Sequence, residues 1–234
     1  MPATFNKVLI IGNGPSVRVA DLDACRNYPS IAANRFHLSY KDHALRPIAT
    51  FCIDPQMIKD HIREIALNSV STLYIPRQFF LETLMRTGPR LGGIRFFPFD
   101  RGSKPVRFSK DFAKYSGNGA SVIYSGIQFA VASGAKEIFL YGVDHNFQHG
   151  PIDESGRVKN NGETNHFITD YRGQAKKWFP PDLQRIEQAF QMAKDVCDKT
   201  GIKIWNASRG GNLKVFDRID FEAARARLKE HKHV

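Results

Sequence analysis

The chain has 234 residues, 42% apolar and 24% charged, and its 34 Lys+Arg against 23 Asp+Glu leave a net charge of +11. That composition suits one large globular domain or two small ones with a sizeable core, and it excludes intrinsic disorder. The positive balance points to anionic partners: nucleotides, phosphorylated substrates, a membrane face or nucleic acid; a merely basic soluble enzyme is the plainer alternative.

Predicted elements alternate along the chain. The apolar run Val8–Ile11 ends in Gly12-Asn13-Gly14-Pro15-Ser16 and reads as a buried strand feeding a turn and a helical pattern. Short strands follow at Ser30–Ala33, closed by Asn34, and at Ala49–Ile53, closed by Asp54-Pro55. Apolar spacing predicts a helix over Gln56–Asn68, a strand over Thr72–Ile75 and a helix over Gln78–Thr87. Pro89–Tyr115 reads as irregular, with short strands at Ile94–Phe97 and Val106–Phe108. A long helix is predicted over Ala120–Ser133, then a strand over Glu137–Tyr141 ending in Gly142-Val143-Asp144-His145. The polar stretch of about 146–180 has no sustained period, and a loop of that length is usually functional or mobile. Pro180-Pro181-Asp182 opens a helix to Lys199, Ile202–Trp205 is the last strand, ending at Asn206, and Phe221–Lys232 is a basic helix.

Strands alternating with helices imply a mainly parallel sheet covered on both faces, an α/β fold in which ligands bind beyond the carboxyl ends of the strands. Those ends carry Asn13, Asn34, Asp54, Asp144 and Asn206. Each one alone serves a turn or a cap as readily as a ligand; five at one rim suggest a site.

Four motifs are candidates for chemistry. Gly12–Ser16 is either a phosphate cradle or an ordinary strand-to-helix turn capped by Ser16, and it matches neither GxGxxG nor the Walker pattern. Ser116-Gly117-Asn118-Gly119-Ala120-Ser121 is a second donor-rich turn at a helix start. Asp144-His145, His149 and Asn165-His166-Phe167 supply groups for general base catalysis, with Asp144 suited to a hydroxyl, an imidazole or a metal; the His145/His149 spacing suits a metal only on a helix, which this segment does not resemble, and His166 is alternatively a loop histidine packed on Phe167 or Tyr171. Asn206-Ala207-Ser208-Arg209-Gly210-Gly211 suits an anionic substrate group or is a plain loop. The cysteines, Cys25, Cys52 and Cys197, are scattered and form no CxxC pair, which fits a reducing compartment without thiolate zinc. No run is long and apolar enough for a membrane span, and a cytoplasmic protein is expected. The tail residues Arg225, Arg227, Lys229 and Lys232 form either a solvated face or a contact with the inner membrane face. Dispersed basic residues and the lack of a recognised motif argue against nucleic acid.

Three segments near the start, Val8–Ser16 (VLIIGNGPS), Ile31–Phe36 (IAANRF) and Phe51–Pro55 (FCIDP), together with Ala130–Asp144 (AVASGAKEIFLYGVD), resemble two related groups. These are the bacterial family 42 sialyltransferases, which use CMP-activated sialic acid, and the MptE-like family of 6-hydroxymethylpterin pyrophosphokinases and motility accessory factors. The run Val143–Phe147 (VDHNF), Asn165–Phe167, Tyr171, Trp205–Ser208 (WNAS) and Gly210-Gly211 look like MptE-like proteins of surface-polysaccharide clusters. The resemblance implies one Rossmann-like nucleotide-binding domain over 1–234. In the sialyltransferases the asparagines matching Asn13 and Asn34 hold the cytidine nucleotide; the third such position is Asp54 here, and Ser121 falls near their nucleotide-contacting turn. Their catalytic histidine precedes the last long helix, where this chain reads Lys177–Asp182 (KWFPPD) without one.

Combined, these readings predict a nucleotide-sugar-dependent glycosyltransferase of surface glycan assembly, needing no cofactor and taking a CMP-activated acidic sugar and a glycan or small-molecule acceptor. Asn13, Gly14, Pro15, Ser16, Asn34, Arg35, Asp54, Gly117, Asn118, Gly119 and Ser121 are expected on the nucleotide. His166 or His145 is expected as the base, with Asp144 orienting it and Tyr171 assisting the leaving phosphate; Asn206, Ser208 and Arg209 are expected on substrate. One alternative is a Mg²⁺-ATP pyrophosphokinase with Asp54 and Asp144 as metal ligands; another is a non-catalytic nucleotide-binding protein. An oligomer is compatible with either.

Overall fold

A computed structural model describes residues 4–88, 92–102, 105–159, 164–169, 171–172 and 177–230. Eight strands form one sheet in which every adjacent pair is parallel, in the order β10 (Asp217–Arg218), β9 (Lys203–Asn206), β6 (Glu137–Tyr141), β1 (Lys7–Ile11), β2 (Ser30–Ala33), β3 (Ala49–Phe51), β4 (Thr72–Pro76) and β5 (Ile94–Phe97). This is the expected Rossmann-like α/β architecture. The chain builds outward from β1 through β5, then returns to lay β6 on the other side of β1. The reversal opens a crevice at the carboxyl ends of β1 and β6.

β1 reads as an unbroken apolar run because both its faces are buried. Val8 and Ile10 pack with Ile31, Phe51, Ile138 and Leu140 beneath α4 (Val122–Ala132) and α5 (Leu183–Lys199). Leu9 and Ile11 point the other way, into a second core with Phe139, Tyr141, Leu22 of α1 (Val19–Ala24) and Phe221 and Leu228 of α6 (Phe221–Lys229). A third cluster places α2 (Pro55–Asn68) over β4 and β5 through Ile58, Ile62 and Ile65, with α3 (Phe80–Thr87) beside it. Each such side chain, fully buried, contributes about 1.5–3 kcal/mol.

Some boundaries differ from the expectation. β3 stops at Phe51, because Asp54 leaves the sheet to cap α2, its Oδ1 accepting from Gln56 N at 2.7 Å and Met57 N at 3.2 Å. The strand predicted at Val106–Phe108 is irregular chain. The Arg107 carbonyl accepts from the Tyr124 hydroxyl at 2.9 Å and Ser109 N donates to Gln128 Oε1 at 3.0 Å, so α4 side chains replace a ladder. Within the long loop, β7 (Val158–Lys159) pairs antiparallel with β8 (Lys177–Trp178). α6 ends at Lys229, and Lys232 lies outside the described residues. No described helix is long and apolar enough to cross a membrane.

Candidate active-site cleft

A cavity of about 560 Å³ opens at the β1/β6 crevice. Asn13, Gly14 and Pro15 from β1, Asn34 from β2, Asp54 from β3, and Asp144 and His145 from β6 all line it. Asn118 and Ser121 enter at the start of α4, and His166 and Tyr171 come from the long loop. Asn13 and Tyr171, 158 positions apart, therefore share one hollow. Asn34, Ala120 and His145 have φ of 51°, 55° and 51°, the only non-glycine left-handed residues among those described, and all three line this cavity. Such conformations cost about 1–3 kcal/mol each and cluster at functional sites.

The glycine turn after β1 is built for its neighbour strand. A side chain on Gly12 or Gly14 would collide with the Gly142 carbonyl, and one on Gly14 also with the Asp144 carboxylate. Gly142 itself has φ +68° and no room for a side chain against Val17. The glycines let the β1 and β6 ends touch, and Gly12 and Gly14 also line the cavity, as a phosphate cradle would require. Asp144 completes the joint: its Oδ2 accepts from Ser16 N at 2.8 Å and its Oδ1 from the Ser16 hydroxyl. Ser16 is thus a partner of Asp144 and does not line the cavity, and both carboxylate oxygens expected for orienting a histidine or holding a metal are engaged. Among the described residues no group of three or more His, Cys, Asp and Glu is placed to hold a metal ion.

Asn13 sits at the centre of the site. Its Nδ2 donates to the Ala33 carbonyl at 2.9 Å and to the Tyr171 hydroxyl at 3.0 Å, while its Oδ1 is buried with no partner. Asn34 Oδ1 is likewise buried and unpartnered. An acceptor left this way costs about 1–3 kcal/mol. The Tyr171 ring stacks on His166 at 3.9 Å, with 17° between the planes. Burial pushes the Tyr171 phenol up to about 12, so it keeps its proton. Burial, with the Arg172 charge nearby, pushes the His166 imidazole down to about 3. An imidazole of that basicity is a poor general base near neutral pH, which argues against the expected role of His166. His145 differs: its side chain is 6% exposed, its Nε2 lies 3.2 Å from Glu187 Oε1, and Nδ1 is left to take a proton.

Cations and rings that sequence reasoning missed complete the walls. Arg101, Arg172 and Arg185 line the cavity with Phe79, Phe99, Phe147 and Phe179. Arg172 lies over Trp178 at 4.1 Å and Arg185 donates to the Asn118 carbonyl at 3.0 Å. The lining aspartates Asp54, Asp144 and Asp182 each accept from backbone N–H groups. No local motif marks the arginines; Arg101 and Arg172 come from segments with no strong period, and Arg185 from the first turn of α5.

The other expected residues sit elsewhere. Arg35 is buried and bonded to Glu64 and to the Tyr171 carbonyl. Gly117 is pinned by Gln128, its N donating to Oε1 at 2.9 Å, and Gly119 packs against Tyr124 and Ala189. Asn206 is fully buried, donating to Leu213 O and accepting from Ser208 N, both at 3.1 Å. The Ser208 hydroxyl accepts from Val143 N at 3.0 Å. Arg209 grips Asp21, Nε to Oδ2 at 2.5 Å and Nη2 to Oδ1 at 2.8 Å. Asn206, Ser208 and Arg209, expected on substrate, are instead joints between β9, β6 and α1, outside the cleft.

No family model matches the chain, and no curated protein matches it. Among solved structures, the sialyltransferase CstII from Campylobacter jejuni in complex with cytidine-5'-monophosphate aligns over 98% of this chain and 99% of that chain, at 14% identity and TM-score 0.43. CstII with CMP-3FNeuAc aligns over 92% and 86%, at 14% identity and TM-score 0.44. The monofunctional alpha-2,3-sialyltransferase Cst-I from the same organism aligns over 86% and 75%, at 15% identity and TM-score 0.40. Likeness at this level assigns no activity to this chain; the cleft has to do that.

Proposed function

We propose that the protein is a glycosyltransferase that takes a sugar activated by a nucleotide, with a CMP-linked acidic sugar as donor and a glycan hydroxyl as acceptor. The carrying observation is that Asn13 and Asn34, each with a buried amide oxygen that has no partner, line one cavity with Asp54. Two such acceptors, beside a carboxylate suited to ribose hydroxyls, match a nucleoside rich in N–H and O–H donors. Phe79 and Phe99 offer apolar surface for a base, and Arg101, Arg172 and Arg185 offer charge for phosphate and carboxylate.

In this reading the acceptor hydroxyl loses its proton to His145 Nδ1 while Glu187 holds Nε2–H. The hydroxyl oxygen attacks the anomeric carbon, and the bond to the nucleotide phosphate breaks. Tyr171, held protonated by burial, donates a hydrogen bond to the departing phosphate. Surface-polysaccharide assembly is the setting the sequence resemblance suggests.

A thermal-shift panel of CMP, CTP, UDP, GDP and ATP, with and without Mg²⁺, tests it. CMP should stabilise most, by about 2.7 kcal/mol at a hundredfold excess over Kd, without metal. Stabilisation by ATP alone, and only with Mg²⁺, would transfer the site to the kinase reading.

A further inference from the structure

Arg35 belongs to the strand tip that carries Asn34, yet its side chain turns away from the cleft. Its Nη1 donates to the main-chain carbonyl of Tyr171. Its Nη2 reaches both oxygens of Glu64, at 2.9 Å each. Glu64 stands on α2 and gathers two further groups: His37 Nε2 at 2.9 Å and His61 Nδ1 at 3.4 Å. One carboxylate therefore ties the exit of β2, the body of α2 and, through Arg35, the loop that carries Tyr171. The Arg35 charge holds the Glu64 carboxyl below its ordinary range despite burial, so the pair is ionic at neutral pH.

On its other side the loop has lighter ties. Phe167 N donates to the Asn13 carbonyl at 3.0 Å, and the Tyr171 hydroxyl meets Asn13 Nδ2 at 3.0 Å. Besides its stacking on His166, the tyrosine thus has two polar anchors of note, its phenol on Asn13 within the cleft and its backbone on Arg35 behind it. In the proposed reading the Asn13 anchor shares a side chain with the nucleotide. The Arg35 anchor does not, and forked Arg–carboxylate contacts fix direction as well as distance.

We infer that Arg35 and Glu64 form a latch behind the cleft that positions Tyr171 for the leaving phosphate, making both of them positioning residues. The functional half of this rests on the glycosyltransferase reading; the structural half does not.

Hydrogen exchange on the full chain without ligand tests the structural half, using Arg35→Lys and the isosteric Glu64→Gln. Amides of 165–169, Phe167 above all, should exchange at least tenfold faster while those of β1 and β6 stay unchanged. A uniform rise across the sheet, or no change at Phe167, would overturn the latch. With a CMP-sugar donor, kcat should fall at least tenfold in both variants while donor KM stays within about threefold. Loss carried entirely by KM would overturn the positioning role. A wild-type chain that binds no nucleotide while its loop responds as described would sink the glycosyltransferase reading and leave the latch standing.

Discussion

Asn13 and Asn206 end two strands of the same sheet, on either side of β6, and their fates differ. Asn206 spends both ends of its amide inside the protein, on Leu213 and Ser208. Asn13 satisfies its nitrogen and leaves its oxygen buried without a partner. Residue type is the same and both lie at the carboxyl end of a strand, Asn206 as its last residue and Asn13 two residues beyond; the completeness of hydrogen bonding separates a joint from a site. The two loop-side histidines divide in the same way. His166 is stacked and held neutral by burial, whereas His145 sits on Glu187 with a free ring nitrogen.

The histidines offer the sharpest way to break this comparison. His145→Gln should lower turnover by about 10²–10⁴, the worth of a placed base, while His166→Gln should stay within about tenfold of wild type. Equal losses measured in steady-state kinetics would erase the distinction. The asparagines come next. Asn206→Ala should cost about 1–3 kcal/mol in denaturant unfolding, since it strands two buried backbone groups, and should leave nucleotide affinity unchanged. Asn13→Ala should instead weaken CMP binding at least tenfold by calorimetry; unaltered affinity would place the nucleoside elsewhere.

Acid gives an effect on stability spread over pH. The His166 imidazole titrates near 3 in the fold and near its ordinary value of about 6.5 when unfolded. Between those values the unfolded chain binds the extra proton, so stability rises with pH there and is lost as pH falls from about 6.5. His37 and His43, also lowered by burial, add to the same loss. His166→Gln should make the fall between pH 6.5 and 4 shallower by up to about 1.4 kcal/mol per pH unit, read from urea midpoints. Arg101→Ala, at an exposed position on the rim, should weaken CMP binding only a few-fold and the more so at low salt.

Much of the sheet was legible because buried parallel strands are short apolar runs closed by glycine, proline or a small polar residue. Ser30–Ala33, Ile94–Phe97 and Glu137–Tyr141 fall where the pattern places them. The two-residue strands β7, β8 and β10 carry no period to read, and α4 side chains took over the backbone at Val106–Phe108. Within the site, Asn13, Asn34, Asp54, Asn118, Ser121, His145 and Tyr171 were nameable from motifs and do share the cavity. Arg101, Arg172, Arg185, Glu187 and Glu64 carried no local mark.

By itself the amino-acid order determined the longer strands of the sheet, that they run parallel, and that polar tips gather at one rim, because period and punctuation are local properties. Which tips are free was decided only in three dimensions. Ser16 closing on Asp144, Leu213 on Asn206 and Arg35 on Glu64 are encounters between residues 128, 7 and 29 positions apart. Whether a polar group is satisfied depends on such partners, and no reading of its own neighbourhood contains them.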